Sequence, residues 1–276
     1  MFDQADGRAL RDMRGPGDPR GVSRARLSPT AAQTVGAIAR REIGLAAKRK
    51  LFRFLFLVSL LPPLVLIIIL LVRLLVEQTF GAKLPWDPVL RFLLIQSAPV
   101  ALLALNLGTP LVARDRTEDV LFLYAVRPVL PWHYALGKLL AVAVPATGLM
   151  LLPGVMIAGL RLSVTGDLSF EQALVLISKL AVASGLIGCA YAGVTVGASA
   201  AVKRARWALL LAVLVFAIPD IQNLPIGPAS AVETLIKALF RDQYGLESAV
   251  SALALAAYGA AGFLLTTFRV RKEMIP

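Results

Sequence analysis

Reactive side chains are nearly missing from this sequence. Its 276 residues include one cysteine, Cys189, and one histidine, His133. A single cysteine forms no intrachain disulfide, so no disulfide framework holds the fold. A single histidine builds no His-rich metal site, and no HExxH pair is present. The apolar runs contain no pair of carboxylates, so no proton relay within a span is visible. One fragment, residues 134–139 (YALGKL), resembles the end of a phosphate-binding loop. The pattern GxxxxGK[ST] needs glycine where Trp132 stands and Ser or Thr where Leu139 stands, so ATP is not held that way. The sequence therefore gives no ground for an enzyme.

Hydrocarbon is what the chain has in abundance. Apolar residues make up 58% of it, and mean hydropathy is +0.74. Crossing a bilayer takes about 20 apolar residues. Residues 54–76, 89–112, 139–160, 180–202 and 246–268 meet that length, and 205–219 is apolar but short. The expected fold is all-α and integral to a membrane, with six transmembrane helices. The first apolar run starts only at Phe54, which argues against a cleaved signal peptide. Trp86, Trp132 and Trp207 all fall at span edges, where indole prefers to lie.

Charge is uneven: 29 Lys+Arg against 17 Asp+Glu, a net +12. With the six arginines from Arg8 to Arg26 set aside, 16 cations fall in segments 40–53, 113–138, 203–206 and 269–276, and 7 elsewhere. This bias puts both termini in the cytoplasm, as six spans require. It makes the basic charge topological, and no nucleic-acid partner is expected. The expected location is the cytoplasmic (inner) membrane, with lipids as neighbours.

Between the spans the chain divides as follows. Residues 1–28 read as a disordered basic cytoplasmic tail. Residues 29–53 read as an amphipathic interfacial helix with Arg40, Arg41, Lys48, Arg49 and Lys50 toward headgroups. Pro62 and Pro63 should kink the first span. Ala181, Gly185, Cys189, Gly193, Gly197 and Ala201 recur every fourth residue in the fourth span, a small-residue ridge for helix packing centred on Gly185, Gly193 and Gly197. Gln96 and Asn106 are the main polar groups in the hydrocarbon. They are candidates to line a substrate path, or else they bond between helices. Residues 217–245 suggest an outer re-entrant segment with an amphipathic helix bearing Val232, Leu235, Ile236 and Leu239. Residues 269–276 read as a cytoplasmic tail.

The loop 113–138 carries charge at its ends and an apolar, aromatic middle. Asp115 is placed to cap a helix over 116–126, with Glu118 and Asp119 at the positive end of its dipole. Val120, Leu121, Leu123 and Tyr124 form its apolar face, Arg127 lies at its end, and Pro128 stops it. Such a helix is marginal alone and needs a surface to pack on.

These features resemble the permease subunits of the ABC transporter type-2 family. The matching residues are Arg40–Glu42, Arg116–Glu118, Arg127–Pro128, and Tyr134, Gly137 and Lys138. Pro228 onward resembles the family's outer re-entrant segment, and the likeness spans roughly residues 34–270. The chain departs from the pattern in having Thr117 without a neighbouring glycine. The resemblance implies a permease dimer, of the same or a related chain, joined to two ATPase subunits that hold the ATP and Mg. It implies that Asp115, Arg116, Glu118, Asp119, Leu121, Tyr124 and Arg127 couple those ATPases to the spans. It also implies export of a lipid, glycan, drug or peptide-like substrate, with no cofactor in this chain. A secondary transporter and a non-transporting subunit of a larger assembly remain the alternatives.

Overall fold

The computed structural model describes residues 30–80, 88–120, 129–165, 169–221 and 226–274. The tail 1–28, Lys83, Trp86, Leu121, Leu123, Tyr124, Arg127 and Pro128 lie outside them. Among the described residues, all regular structure is helical. The helices are α1 (Ala31–Ala47), α2 (Lys50–Ser59), α3 (Leu61–Phe80), α4 (Pro88–Gly108), α5 (Leu111–Thr117), α6 (Pro131–Leu160), α7 (Phe170–Ala201), α8 (Ala205–Ile221), α9 (Pro228–Arg241) and α10 (Leu246–Met274). A π-helical turn, Arg161–Thr165, follows α6.

Among the described residues, five stretches are long and apolar enough to cross a membrane: Lys50–Arg73, Pro88–Thr117, Pro131–Ser163, Phe170–Ala201 and Leu246–Met274. The apolar α8 has only 17 residues. Large apolar side chains such as Leu57, Leu64, Ile68, Leu152 and Leu253 stand exposed along these helices. In water they would be a liability, whereas in hydrocarbon they are the expected surface.

Prolines shape the first span. Pro62 and Pro63 have no N–H to give the carbonyls one turn earlier, and the helix breaks at Leu60 between α2 and α3. The amphipathic helix expected over 29–53 ends earlier, at Ala47. Arg49 is extended (φ −78°, ψ 130°), and Lys50 already begins α2. The cause is burial: Val35, Ile38, Ala39, Glu42 and Ala46 face inward, while Lys48 and Lys50 stay exposed at the corner. At the other terminus α10 runs on to Met274, so most of the expected tail is helix.

Glycine sets the closest approaches. A Cβ on Gly193 would lie 2.3 Å from the Tyr258 carbonyl oxygen, and one on Gly197 would lie 3.0 Å from Gly262 Cα. The ridge of α7 thus receives Gly259 and Gly262 of α10, backbone against backbone. Gly185 meets nothing within 4 Å, so the ridge works only over its second half. Gly137 does the same for α1 on α6, where a Cβ would come within 2.8 Å of Ile38.

The amphipathic α9 buries Ala231, Val232, Leu235, Ile236 and Ala238 and leaves Leu239 half-buried. Glu233 and Lys237 pair on its outer side. Phe92, Leu93, Leu103, Leu107, Met150, Ile157 and Ile187 fill the core among α4, α6 and α7. One of the largest fully buried side chains there is a lysine, Lys138.

Candidate functional site

An unpaired ammonium in an apolar interior costs several kcal/mol, so Lys138 needs partners. It has three. Its Nζ lies 2.6 Å from Asp115 Oδ2, 2.9 Å from Glu42 Oε1 and 3.3 Å from the Leu111 carbonyl oxygen. Two N–H donors make hydrogen bonds, to Glu42 and to the Leu111 carbonyl, and the contact with Asp115 is an ion pair. Tyr134 OH donates to Asp115 Oδ2 at 2.7 Å, and the ammonium sits 5.2 Å from the centre of the Tyr134 ring. Glu42 and Asp115 are themselves buried. One cation and two carboxylates thus join α1, α5 and the start of α6 into a single node.

The short α5 is fastened a second way. It begins after the break at Thr109–Pro110, so its first N–H groups have no partner within a helix. Ser199 of α7 accepts two of them, Val112 N at 3.0 Å and Ala113 N at 2.9 Å. Arg116 returns the favour at the end of α7, where it donates to the Ala200 and Val202 carbonyls at 2.7 and 3.4 Å. Its other nitrogens fork onto Glu273 of α10 at 3.0 and 2.5 Å. Each helix therefore caps the other, and α5, the last part of the stretch Pro88–Thr117, is tied to four helices at one end of the bundle.

That geometry corrects the expectation for Asp115. It does not cap a helix over 116–126: it lies inside α5, bonded to Lys138 and Tyr134. Ser199, from a distant part of the chain, does the capping one turn earlier. Thr117 ends α5, and Asp119 takes a left-handed turn at φ 51°. Glu118 pairs with Arg114 on the half-exposed side at 2.7 Å. So Asp115, Arg116, Glu118 and Asp119 share one short segment, with Asp115 and Arg116 turned inward and Glu118 and Asp119 outward. Leu121, Tyr124 and Arg127 lie beyond the described residues.

The two polar residues considered for a substrate path behave differently. Gln96 is fully buried and bonds to backbone carbonyls of two other helices. Asn106 is half-buried, and the two are not brought together. The node itself had been legible only as scattered motif residues, Glu42 in one segment and Tyr134 and Lys138 in another.

The opposite end carries charge of another kind. Lys179, near the start of α7, bonds to Asp242 at 2.5 Å, and Tyr244 OH donates to the same carboxylate at 3.2 Å. The Lys179 hydrogen bond holds the Asp242 carboxyl below its ordinary range. Together with Arg161, Glu171 and Phe240 this pair lines an open cleft. Its charges balance and Asp242 is exposed to water, so the cleft has the look of a solvated rim rather than a selective site.

No protein-family model matches this chain, and no curated protein matches it.

Proposed function

We propose that this chain is the transmembrane subunit of an ATP-driven exporter, working as a dimer and powered by separate ATPase subunits that dock at its basic end. The topology proposed is six spans, α8 being the fifth, with both termini in the cytoplasm of an inner-membrane protein. The substrate class is lipid, glycan, drug or peptide-like. The observation that carries this reading is the anchoring of α5. A loop that merely joins two spans needs no buried ion triad and no reciprocal caps. A loop that must pass force into the spans needs a rigid attachment to several of them, and α5 is tied to α1, α6, α7 and α10. Glu118 and Asp119 then face outward at the edge of that platform, where charge steers association.

The test is reconstitution with the ATPase subunit that co-purifies with the chain. Glu118→Lys with Asp119→Lys should leave the helices folded while lowering substrate-stimulated ATP hydrolysis and transport. Full assembly and full stimulation in that variant would remove the coupling role. For topology, single cysteines replacing Lys203 or Lys237 on a Cys189→Ala background are treated with an impermeant thiol reagent in intact cells. Position 237 should label and 203 should not, and the reverse pattern would overturn the orientation.

Among the described residues, the buried carboxylates are what favours a secondary transporter. Against it, both already share one buried lysine at the end of the bundle, away from the apolar middle. Transport driven by a pH gradient without ATP would decide for that reading.

A further inference from the structure

Among the carbonyls that prolines strand in this fold, two on different helices are served by one side chain. Pro63 has no N–H for the Ser59 carbonyl at the end of α2, and Pro153 has none for the Leu149 carbonyl inside α6. Gln96 of α4 donates from Nε2 to Ser59 O at 2.8 Å and to Leu149 O at 3.2 Å. Both partners are acceptors, so chemistry fixes which way the carboxamide points. Its nitrogen carries two hydrogens, one for each. Gln96 and Ser59 are fully buried, so no water competes for either carbonyl. The Gln96 Oε1 atom is buried without a partner, so the amide is held from its nitrogen side alone.

We infer that Gln96 is a latch that makes the proline hinge between α2 and α3 bend together with the proline hinge of α6. A proline loosens a helix locally, and each hinge alone would flex independently. Here the freed carbonyl of one hinge shares a nitrogen with that of the other. If Ser59 moves away while Leu149 stays, one bond breaks and leaves a buried carbonyl unsatisfied. If both move together, neither breaks.

The node supplies the other end of the same frame. Glu42, on the chain leading into α2, is bonded to Lys138 of α6. Leu149 lies eleven residues further along α6, about 16 Å at 1.5 Å per residue. The segment from α1 to Ser59 and the stretch of α6 from Lys138 to Leu149, which contains Pro145, are therefore joined by two rungs. One is ionic, at the basic end, and one is the Gln96 amide at mid-bundle. A push that reaches either hinge is passed to the other through the Gln96 amide. The latch requires no particular source of that push, so it stands apart from the ATPase reading.

Proline-to-alanine rescue tests it in the purified full chain, because alanine returns the missing N–H to each carbonyl. Amide hydrogen exchange is followed in residues 60–66 and 150–157. Gln96→Leu should raise exchange in both segments together by about tenfold. Adding Pro153→Ala should restore protection in 150–157 only, and adding Pro63→Ala should restore it in 60–66 only. General loosening of the fold would not give that crossed pattern. A rise in one segment alone, in neither, or rescue of both by a single proline replacement would overturn the latch. Where Gln96→Leu alone does not fold, Pro63→Ala/Pro153→Ala is compared with the triple variant that adds Gln96→Leu. The two should melt together, and a clearly lower melting temperature for the triple variant would overturn the inference.

Discussion

The two ends of this bundle use the same chemistry to opposite effect. At the basic end, Lys138 is fully buried and meets a carbonyl and two buried carboxylates, one of which also accepts from the Tyr134 hydroxyl. At the other end, Lys179 meets Asp242 at the edge of an open cleft, and Glu233 meets Lys237 on an exposed helix face. Distance does not separate these pairs, since all are in contact. Burial does. An exposed pair is screened by water and salt and gives roughly 0–1 kcal/mol. A buried one contributes little net energy when intact, but breaking it strands a charge. The basic end is therefore built to hold one arrangement, and the far end only to stay soluble at its rim.

Breaking the node is the sharpest way to test that contrast. Lys138→Met leaves Glu42 and Asp115 without their cation and should cost about 3–5 kcal/mol. It should appear as a large fall in melting temperature of the purified protein. Adding Glu42→Gln and Asp115→Asn should recover much of the loss, because the stranded charges are then gone. If Lys138→Met melts like wild type, the buried triad does not hold this end.

Next in size is Gly193→Leu, which places a side chain where even a Cβ would meet the Tyr258 carbonyl at 2.3 Å. Overpacking of this kind costs about 1–3 kcal/mol. Gly185→Leu is the internal control, since nothing lies within 4 Å of a Cβ there. Equal melting shifts for the two would mean that the α7–α10 contact is not what the ridge serves.

Ser199→Ala removes the cap that α7 lends to α5 and should cost about 1 kcal/mol. The loss should be concentrated locally, as faster hydrogen exchange over 111–117. Unchanged exchange there would place the anchoring of α5 entirely on the ionic node.

Asp242→Asn at the far rim should have the smallest effect, and it should depend on pH. The carboxyl is held below its ordinary range by Lys179, so its contribution is present above the usual carboxylate pKa of about 4 and lost as pH falls through the lowered value. Melting of wild type and variant, compared from neutral to acid pH, should converge at the acid end and also in high salt. A difference that grows toward acid would contradict the assignment.

The long apolar helices, the break at Pro62–Pro63 and the buried face of α9 were legible in the sequence because each follows from local composition and period. The α7 ridge was legible as a pattern, but its partner was not: which half meets α10 depends on Gly259 and Gly262, about 65 residues away. The node was named in pieces. A lone Glu42 on the apolar side of a basic helix and a lone Lys138 directly before an apolar run were each anomalous, and pairing the two anomalies was the available signal. Asp115 was misread for a related reason. Its spacing to Glu118 satisfies a local capping pattern, yet a lysine and a serine distant in sequence claimed the segment first. Gln96 went the same way, since proline carbonyls on two other helices leave no trace in its own neighbourhood.

The shortness of α8 bears on the lipid around the protein. Seventeen residues at 1.5 Å each make about 25 Å of helix, against about 30 Å of hydrocarbon. Leu209, Leu210, Val213, Leu214 and Ile218 stand exposed along it, with Trp207 at one end and Arg206 just beyond. In the proposed topology the acyl chains beside α8 must draw in by about 5 Å, while those beside the 32-residue α7 need not. In that topology the protein would sit in a bilayer thinner on one flank than the other, and a lipid crossing the membrane beside it would find its shortest route along α8.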